Sequence, residues 1–419
     1  MLRPTEPDPV IVNGRSYNWP QRPRVVICFD GCDPAYVTAA RVSGVAPNLV
    51  RMLDQGFSAI AEAAIPSFTN PNNLSIVTGA PPAVHGVSGN FYLDRATGDV
   101  VMMTDAAPLC APSILAAFSQ MGARVAAVTA KDKLRKALGH GLSGVCFSAE
   151  AANACNIPEH GIDDVIAMVG RPEPDTYSAD LSLFVLDAGV ALVERESFDL
   201  IYLSLSDYVQ HSHAPDTPES DAFMAAVDER LGRLVNFGAV VGIVADHGMT
   251  DMARPDGSPN VLFLGDRLDA AHGPDALQVI CPITDPYVRH HGALGGFVRV
   301  HALDKDVDLD AVLAFVRDLP EVDLALPRAE ACARFDLPAD KEGDIAIFGK
   351  PGVALGGRAG EHDLSQLAGA RLRSHGGLAE RDVPFIVSER LSADYAARAK
   401  GSLRNYDIFD AVLNGMEAN

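Results

Sequence analysis

The chain has 419 residues, a hydrophobic content of 48% and a formal net charge of −21. At roughly 150 residues per domain, this length indicates two or three domains, or one large core that carries an insertion. So acidic a chain repels phosphate backbones and anionic lipids, and no basic stripe or long uncharged apolar run offsets this, so we expect no nucleic-acid or membrane partner.

In chain order, apolar strand-like runs alternate with helix-compatible stretches. The first run, Arg24–Phe29, ends at Asp30-Gly31, and Pro34 then opens a helical pattern that extends to about Gln55. Later strand-like runs are Arg124–Val128, Leu200–Leu205 and Ala239–Val244. A helical pattern, Pro218–Val235, lies between the last two. Near-continuous apolar strands between helices predict an α/β fold with a mostly parallel sheet covered on both faces.

The composition changes between residues 254 and 367, where Pro and Gly become more frequent and the apolar runs become short. Phe297–Val300 and Ile345–Phe348 are two of these short runs. The chain then returns to a strand-like Pro384–Val387 and a terminal helix. We therefore predict a smaller inserted α+β cap domain at 254–367 and a core domain made of 22–253 and 368–419.

Three of the predicted core strands are followed by an aspartate: Asp30, Asp207 and Asp246. Chemistry in a parallel sheet lies beyond the carboxyl ends of its strands, which makes these carboxylates candidates for a site. For any one of them alone, capping of the following helix is the simpler interpretation. Their recurrence at three strand ends favours a shared function.

Histidines accompany these carboxylates. Asp207 and His211 stand four residues apart and would share one face of a helical turn; His247 follows Asp246 directly, and His375 lies in Arg373-Ser374-His375-Gly376-Gly377. Taken singly, each histidine is more often a surface or core residue than a ligand. Together, carboxylate oxygens and imidazole nitrogens suit Zn²⁺ or Mn²⁺, and their number fits two metal ions.

A loop that turns into a helix, Pro66 to Gly79, contains Thr69 at the turn. The amides of a helix N-terminus form an anion site, so the group that Thr69 meets would be anionic. The alternative is that Thr69 is an ordinary N-cap without chemistry. A hydroxyl bound to a divalent metal would instead be an activated nucleophile for a phosphorus atom held by those amides.

The ordered set Asp30, Thr69 in Pro-Ser-Phe-Thr, Asp207-x3-His211, Asp246-His247-Gly248 and His375-Gly376-Gly377 resembles the alkaline phosphatase superfamily, in particular the branch of nucleotide pyrophosphatase/phosphodiesterases and phosphonoacetate hydrolases. The resemblance spans about Val25 to Val387, apart from the insertion. It implies an alkaline-phosphatase-like core and two divalent metals, most simply Zn²⁺. One metal would be held by Asp207, His211 and His375, and the other by Asp30, Asp246, His247 and the Thr69 oxygen. The segment His85 to Asn90 resembles one whose asparagine holds a phosphoryl oxygen, which implies that role for Asn90.

Thr129-Ala130-Lys131-Asp132-Lys133-Leu134 follows a predicted strand and lies on the same carboxyl edge as the candidate ligands. Lys131 and Lys133 could be a solvated surface pair. The segment, however, resembles one in phosphonoacetate hydrolases whose lysines bind the substrate carboxylate. Cleaving a carbon–phosphorus bond expels a carbanion, which an adjacent carboxylate delocalises and two ammonium groups would stabilise. The resemblance thus implies substrate contacts for Thr69, Asn90, Lys131, Lys133, His211 and His375.

The sequence therefore predicts hydrolysis of phosphonoacetate to acetate and phosphate through a phospho-threonine intermediate, with Thr69 and Asn90 as catalytic residues. A phosphodiesterase or nucleotide pyrophosphatase of the same branch is the main alternative; a phosphoryl-transfer mutase and a non-catalytic metal-binding protein agree less well with Thr69 and a complete ligand set. We expect a cytoplasmic protein, a small phosphonate as partner and a homodimeric assembly. The 7 cysteines are expected to be reduced thiols, mostly in the core. His213, His290, His291 and His362 have no assigned role.

Overall fold

The computed structural model describes residues 8–95, 97–102, 109–195, 198–283, 293–367 and 369–416. The strands of the first half are β1 (Val10–Val12), β2 (Arg15–Tyr17), β3 (Arg24–Cys28), β4 (Phe57–Glu62), β5 (Phe91–Leu93), β6 (Val100–Met102), β7 (Val125–Thr129), β8 (Val145–Ser148) and β9 (Leu200–Ser204). Those of the second half are β10 (Val240–Val244), β11 (Thr250–Asp251), β12 (Val261–Phe263), β13 (Leu277–Ile280), β14 (Phe297–Ala302), β15 (Val322–Pro327), β16 (Ile345–Gly349), β17 (Ala354–Gly356), β18 (Arg373–Ser374) and β19 (Asp382–Val387).

Sixteen α-helices connect and cover these strands in the described part of the chain. The first eight are α1 (Pro34–Ser43), α2 (Pro47–Gln55), α3 (Thr69–Thr78), α4 (Pro82–His85), α5 (Ile114–Gln120), α6 (Asp132–Leu138), α7 (Ile157–His160) and α8 (Val165–Val169). The others are α9 (Ala179–Arg195), α10 (Tyr208–Ser212), α11 (Pro218–Asn236), α12 (Leu264–His272), α13 (Leu309–Arg317), α14 (Arg328–Phe335), α15 (Ala393–Ala399) and α16 (Ile408–Asn414). Among the described residues, none of the helices combines the length and apolarity that crossing a membrane requires.

A seven-stranded sheet with the order β4-β19-β10-β3-β9-β7-β8 forms the core. Its five central and distal strands pair in parallel, from β10 through β3, β9 and β7 to β8, whereas β19 is antiparallel to both β10 and β4. The structure confirms the predicted α/β class and the mostly parallel sheet. Most residues of these parallel strands are buried, as expected for strands covered on both faces.

The strand register aligns the carboxyl ends of the parallel strands. Cys28 is opposite both Val244 and Ser204, and Thr129 is opposite both Ser204 and Ser148. The residues that follow these positions therefore emerge at one edge of the sheet. This edge is where Asp30, Asp207, Asp246 and Lys131 were expected to meet.

The two antiparallel strands bring two further segments to the same edge. The end of β4 at Glu62 pairs with the start of β19 at Asp382, and β19 runs back along β10 from there. The chain that leaves β4 thus continues at the carboxyl edge into α3, and the chain that enters β19 arrives from that edge. Thr69 and His375, which belong to these two segments, reach the site for this reason.

The second sheet has four antiparallel strands in the order β13-β14-β16-β15, and these strands lie within residues 277–349. Two short pairs flank it in the chain: β12 with β17, and β11 with β18. The second of these joins the points at which the chain leaves and rejoins the core. The cap boundaries at 254 and 367 remain a prediction.

The two faces of the second sheet belong to different hydrophobic clusters because its side chains alternate. Val298 and Ile347 pack on one face, and Phe297 and Phe348 on the other. The second face also contains Phe68, which immediately precedes Thr69. The second sheet therefore packs directly against the start of the helix that carries the candidate nucleophile.

Two expectations about local structure are corrected. The helical pattern from Pro34 to Gln55 is two helices, because Gly44 ends α1 in a left-handed conformation (φ 74°) and Pro47 starts α2. The 7 cysteines are free thiols, but only Cys28, Cys32 and Cys146 are buried; Cys110 is exposed and the others are half-buried. Cys110, Cys155, Cys281 and Cys332 therefore lie nearer the surface than expected.

Candidate metal centre and its pocket

The candidate ligands lie together at the carboxyl edge of the core sheet. Six of them are buried side chains, each at most 8% exposed: Asp30, Asp207, His211, Asp246, His247 and His375. Burying so many titratable groups is costly unless they are paired or bind a metal ion. Their shared burial is the first sign of a metal centre.

One group of possible ligands contains Asp207, His211 and His375, whose ligand atoms all lie within 4.8 Å of one another. The Nε2 atom of His211 is 2.8 Å from Oδ2 of Asp207, and that of His375 is 3.9 Å from the same oxygen. The helical turn α10 places Asp207 and His211 on one face, as the four-residue spacing predicted. The structure brings together all three ligands that the resemblance implied for one metal.

A second group contains Asp30, Asp207 and His247. The Nε2 atom of His247 lies 3.3 Å from Oδ1 of Asp30, 3.7 Å from Oδ2 of Asp246 and 3.2 Å from the Thr69 hydroxyl. All four residues expected around the second metal are therefore adjacent. The geometry adds that Asp207 stands between the two groups and can serve both.

The three histidine rings are oriented by backbone carbonyls. Their Nδ1 atoms lie 2.7 to 2.9 Å from the carbonyl oxygens of Arg373, Gly248 and Ser67, for His211, His247 and His375 respectively. Because a carbonyl only accepts hydrogen bonds, each Nδ1 must carry the proton. In its neutral form, each ring then directs the Nε2 lone pair into the cluster, which is the arrangement of metal-binding histidines.

Electrostatics within the cluster also favour bound cations. Burial beside the carboxylates of Asp207 and Asp246 raises the pKa of Asp30 well above its ordinary value. Burial alone would lower the pKa of His247, but the charges of Asp246, Asp30 and Asp207 raise it to about 10. Divalent cations would compensate these buried carboxylates directly, so the donor set fits such ions.

Thr69 is the first residue of α3, and the N-cap position belongs to Phe68. The interpretation of Thr69 as an ordinary N-cap is therefore wrong: no side-chain capping hydrogen bond is made at this helix end, and the hydroxyl faces His247 instead. The helix is buried on all sides from Pro71 to Thr78. A fully packed helix holds its first turn firmly against the candidate ligands.

Asn90 lies at the pocket on the loop that follows α4. Its amide oxygen accepts a hydrogen bond from Asn70 at 2.6 Å, and its amide nitrogen donates to the carbonyl of Ile283 at 3.2 Å. The second sheet holds this loop, because Arg299 on β14 donates to the carbonyl and hydroxyl of Ser88 at 2.9 and 3.0 Å. Arg299 is itself paired with Glu342 in a fully buried ion pair.

A cavity of about 80 Å³ opens beside these groups. Its described lining includes Asp30, Thr69, Asn70, Asn90, Lys131, Lys133, Asp207 and His375. Both lysines are half-buried, and Nζ of Lys131 lies 4.0 Å from Oδ1 of Asp207. The lysine segment therefore borders the same cavity as the candidate nucleophile and ligands.

Sequence reasoning missed Asn70. Its position next to Thr69 was the available signal, but its contact with Asn90 depends on a loop 20 residues further along the chain. Two unassigned histidines lie outside the cluster: Nδ1 of His213 is 3.9 Å from Glu219, and His362 accepts a hydrogen bond from the amide of Gly357. His290 and His291 lie outside the described residues.

Comparison with known families gives one match over most of the chain. The family model for type I phosphodiesterase / nucleotide pyrophosphatase matches residues 24–375. An uncharacterized pyrophosphatase/phosphodiesterase of Schizosaccharomyces pombe is 26% identical over 234 residues, which are 54% of this chain. The match covers 44% of that protein, so this chain corresponds to less than half of it.

Solved structures give a closer likeness. Phosphonoacetate hydrolase from Sinorhizobium meliloti 1021, in complex with phosphonoformate, is 47% identical, with a TM-score of 0.93 over 98% of this chain and 100% of that one. The same enzyme in complex with phosphonoacetate gives 46% identity and a TM-score of 0.92 over the same shares. An inactive variant of murine ectonucleotide pyrophosphatase / phosphodiesterase 5, in complex with AMP, is 16% identical with a TM-score of 0.62 over 95% and 96%. The last likeness shows the fold alone.

Proposed function

The chain belongs to the type I phosphodiesterase / nucleotide pyrophosphatase family, and we propose that within this family it hydrolyses the carbon–phosphorus bond of phosphonoacetate to acetate and phosphate. The observation that carries this proposal is that Lys131 and Lys133 line the same small cavity as Thr69. An ester substrate would not need two cations on its leaving-group side. The likeness to phosphonoacetate hydrolase over the whole chain supports the same substrate.

The proposed cofactors are two divalent cations, and the mixed nitrogen and oxygen donors favour zinc. Asp207, His211 and His375 would hold one ion, and Asp30, Asp246, His247 and the Thr69 oxygen the other. Asp207 belongs to both groups of possible ligands and would also lie beside the second ion. When bound, such ions supply positive charge that favours ionisation of a hydroxyl or water and stabilises the negative charge of the transferring phosphoryl group.

The reaction would proceed through two steps on this chain's residues. The Thr69 hydroxyl releases its proton to solvent and its oxygen attacks phosphorus; a Thr69 oxygen–phosphorus bond forms and the carbon–phosphorus bond breaks, leaving its electron pair on the carbon next to the carboxylate. That carbanion is delocalised as an enolate and takes up a proton to give acetate. Water then hydrolyses the phospho-threonine, which releases phosphate and restores the hydroxyl.

Other side chains would position the substrate. Asn90 would donate its amide to a phosphoryl oxygen, and Asn70 is placed to fix the orientation of that amide. Lys131 and Lys133 would bind the carboxylate and stabilise the charge that grows on it as the bond breaks. His211 and His375 would border the substrate from the cluster side. A homodimeric assembly and a cytoplasmic location complete the proposal as predictions from the sequence.

A substrate comparison tests the proposal. Purified zinc-loaded protein would be assayed on phosphonoacetate, p-nitrophenyl phosphate and bis-p-nitrophenyl phosphate, with acetate and phosphate release followed by proton and phosphorus NMR. We expect the highest kcat/KM for phosphonoacetate and equal amounts of acetate and phosphate. A higher kcat/KM for the diester would instead identify a phosphodiesterase, the alternative function within this family.

A further inference from the structure

Asn73 is a fully buried side chain one helical turn beyond Thr69, and it makes four hydrogen bonds. Its amide nitrogen donates to the Thr69 carbonyl at 3.0 Å and to Oδ2 of Asp246 at 3.3 Å. Its amide oxygen accepts from the hydroxyls of Tyr202 and Ser204 at 2.7 and 2.8 Å. Because each polar atom of this buried amide has hydrogen-bond partners, the amide restricts the positions of the groups around it.

The orientation of this amide is determined by its neighbours. The Thr69 carbonyl and the Asp246 carboxylate only accept hydrogen bonds, so the amide nitrogen must face them. The amide oxygen then faces two hydroxyls, which can donate. A flipped amide would place oxygen against oxygen on two sides in a buried setting, which is strongly unfavourable.

Asn73 thereby connects three elements of the site. It lies on α3, which begins with Thr69; it contacts Asp246, which follows β10; and it accepts from β9, the strand that leads to Asp207. We propose that Asn73 is a positioning residue of the metal centre: it holds the Asp246 carboxylate and the first turn of α3 in the relative placement that a metal shared by Asp246 and Thr69 requires. This inference rests on the metal-dependent function proposed above.

The chain offers a matched control in Asn72. This residue is equally buried on the same helix, but its amide bonds the backbone of Ala64, Pro66 and Phe68 and the side chain of Asn405. Asn72→Ala and Asn73→Ala remove the same atoms from the same helix. A loss of packing or helix stability should therefore be similar in the two variants.

The experiment measures zinc affinity of the metal-free protein by calorimetry and competition with a chelator, together with the thermal unfolding midpoint. We expect Asn73→Ala to weaken one of the two zinc ions by about 10- to 100-fold, the usual effect of removing a partner of a metal ligand. Asn72→Ala should lower the unfolding midpoint but leave both affinities within about 2-fold of the wild type. Unchanged affinities in Asn73→Ala, or equal losses in both variants, would overturn the proposal.

Asn73→Ser is a second variant for the case in which Asn73→Ala does not fold. A serine hydroxyl in a helix can bond the carbonyl four residues earlier, here that of Thr69, but it is too short to reach Asp246. A loss of zinc affinity in this variant would support a role for the amide contacts with Asp246, Tyr202 and Ser204, none of which depends on the Thr69 carbonyl, and wild-type affinity would overturn the proposal. Both readouts are made without substrate, so they remain decisive even if phosphonoacetate proves not to be the substrate.

Discussion

The cluster of candidate ligands and the lysine segment border one cavity, but they are built differently. The ligand side chains are buried, and each histidine is held by a backbone carbonyl, which for His211 and His375 comes from a distant part of the chain. Lys131 and Lys133 stand half-buried at the start of the short helix α6, where Lys131 occupies the N-cap position.

We infer from this difference that the ligand cluster and the lysine segment have different roles. Chemistry at phosphorus requires ligands that do not reorganise during the reaction, and burial with fixed hydrogen bonds provides this. Recognition of a small carboxylate requires positive charge near the cavity but less rigid placement, and long lysine side chains provide that. We therefore expect changes in the cluster to affect all substrates and changes in the lysine segment to affect one class.

The largest effect should follow removal of the metals. A chelator should abolish turnover of every substrate, zinc should restore it, and metal analysis of the active protein should find two ions per chain. Asp207→Asn should weaken both ions because Asp207 belongs to both ligand groups, whereas Asp30→Asn should weaken one. Full activity with one ion or none per chain would contradict this account of the cluster.

Thr69→Ala should come next, with a loss of kcat of at least about 1,000-fold on phosphonoacetate and on p-nitrophenyl phosphate alike, because the nucleophile is gone. The metals and the fold should be retained, since the remaining ligands are unchanged. Thr69→Ser should keep part of the activity. Near-normal turnover by Thr69→Ala would show that water attacks phosphorus directly.

A smaller and selective effect is expected at the lysines. A charge-assisted hydrogen bond contributes roughly 1.5–3 kcal/mol, so Lys131→Ala or Lys133→Ala should lower kcat/KM for phosphonoacetate by about one to two orders of magnitude. The same variants should change kcat/KM for p-nitrophenyl phosphate little, because it has no carboxylate. Equal losses on both substrates would mean that the lysines serve the phosphoryl group or the fold, and the contrast between the two regions would fail.

The smallest effect is expected for a control variant at Thr217, which lies outside both regions. Thr217 caps α11, and its hydroxyl accepts a hydrogen bond from the amide of Ser220. Thr217→Ala should lower the free energy of unfolding by about 1 kcal/mol in urea denaturation. Both activities should stay at the wild-type level; a selective loss on either substrate would show that stability alone can mimic the effects predicted above.

The sequence by itself predicted the class of the fold, which the structure confirms, and a set of candidate ligands, which the fold brings close together. The strands that precede Asp30, Asp207 and Asp246-His247 could be recognised because a buried parallel strand is a continuous run of apolar residues in the sequence. Parallel strands end at one edge, so residues after different strands could be placed together without coordinates. The family resemblance implied specific roles for Thr69, Asn90, His375 and the two lysines.

Only the tertiary structure decided how these residues are held. Three features are absent from any local pattern: the sharing of Asp207 between two ligand groups, the carbonyls that orient His211 and His375, and the contact of Asn70 with Asn90. For His375, the orienting carbonyl belongs to a residue 308 positions away. Any residue can supply a backbone carbonyl, so its identity gives no signal in the sequence, and its position follows only from the packing of the whole chain.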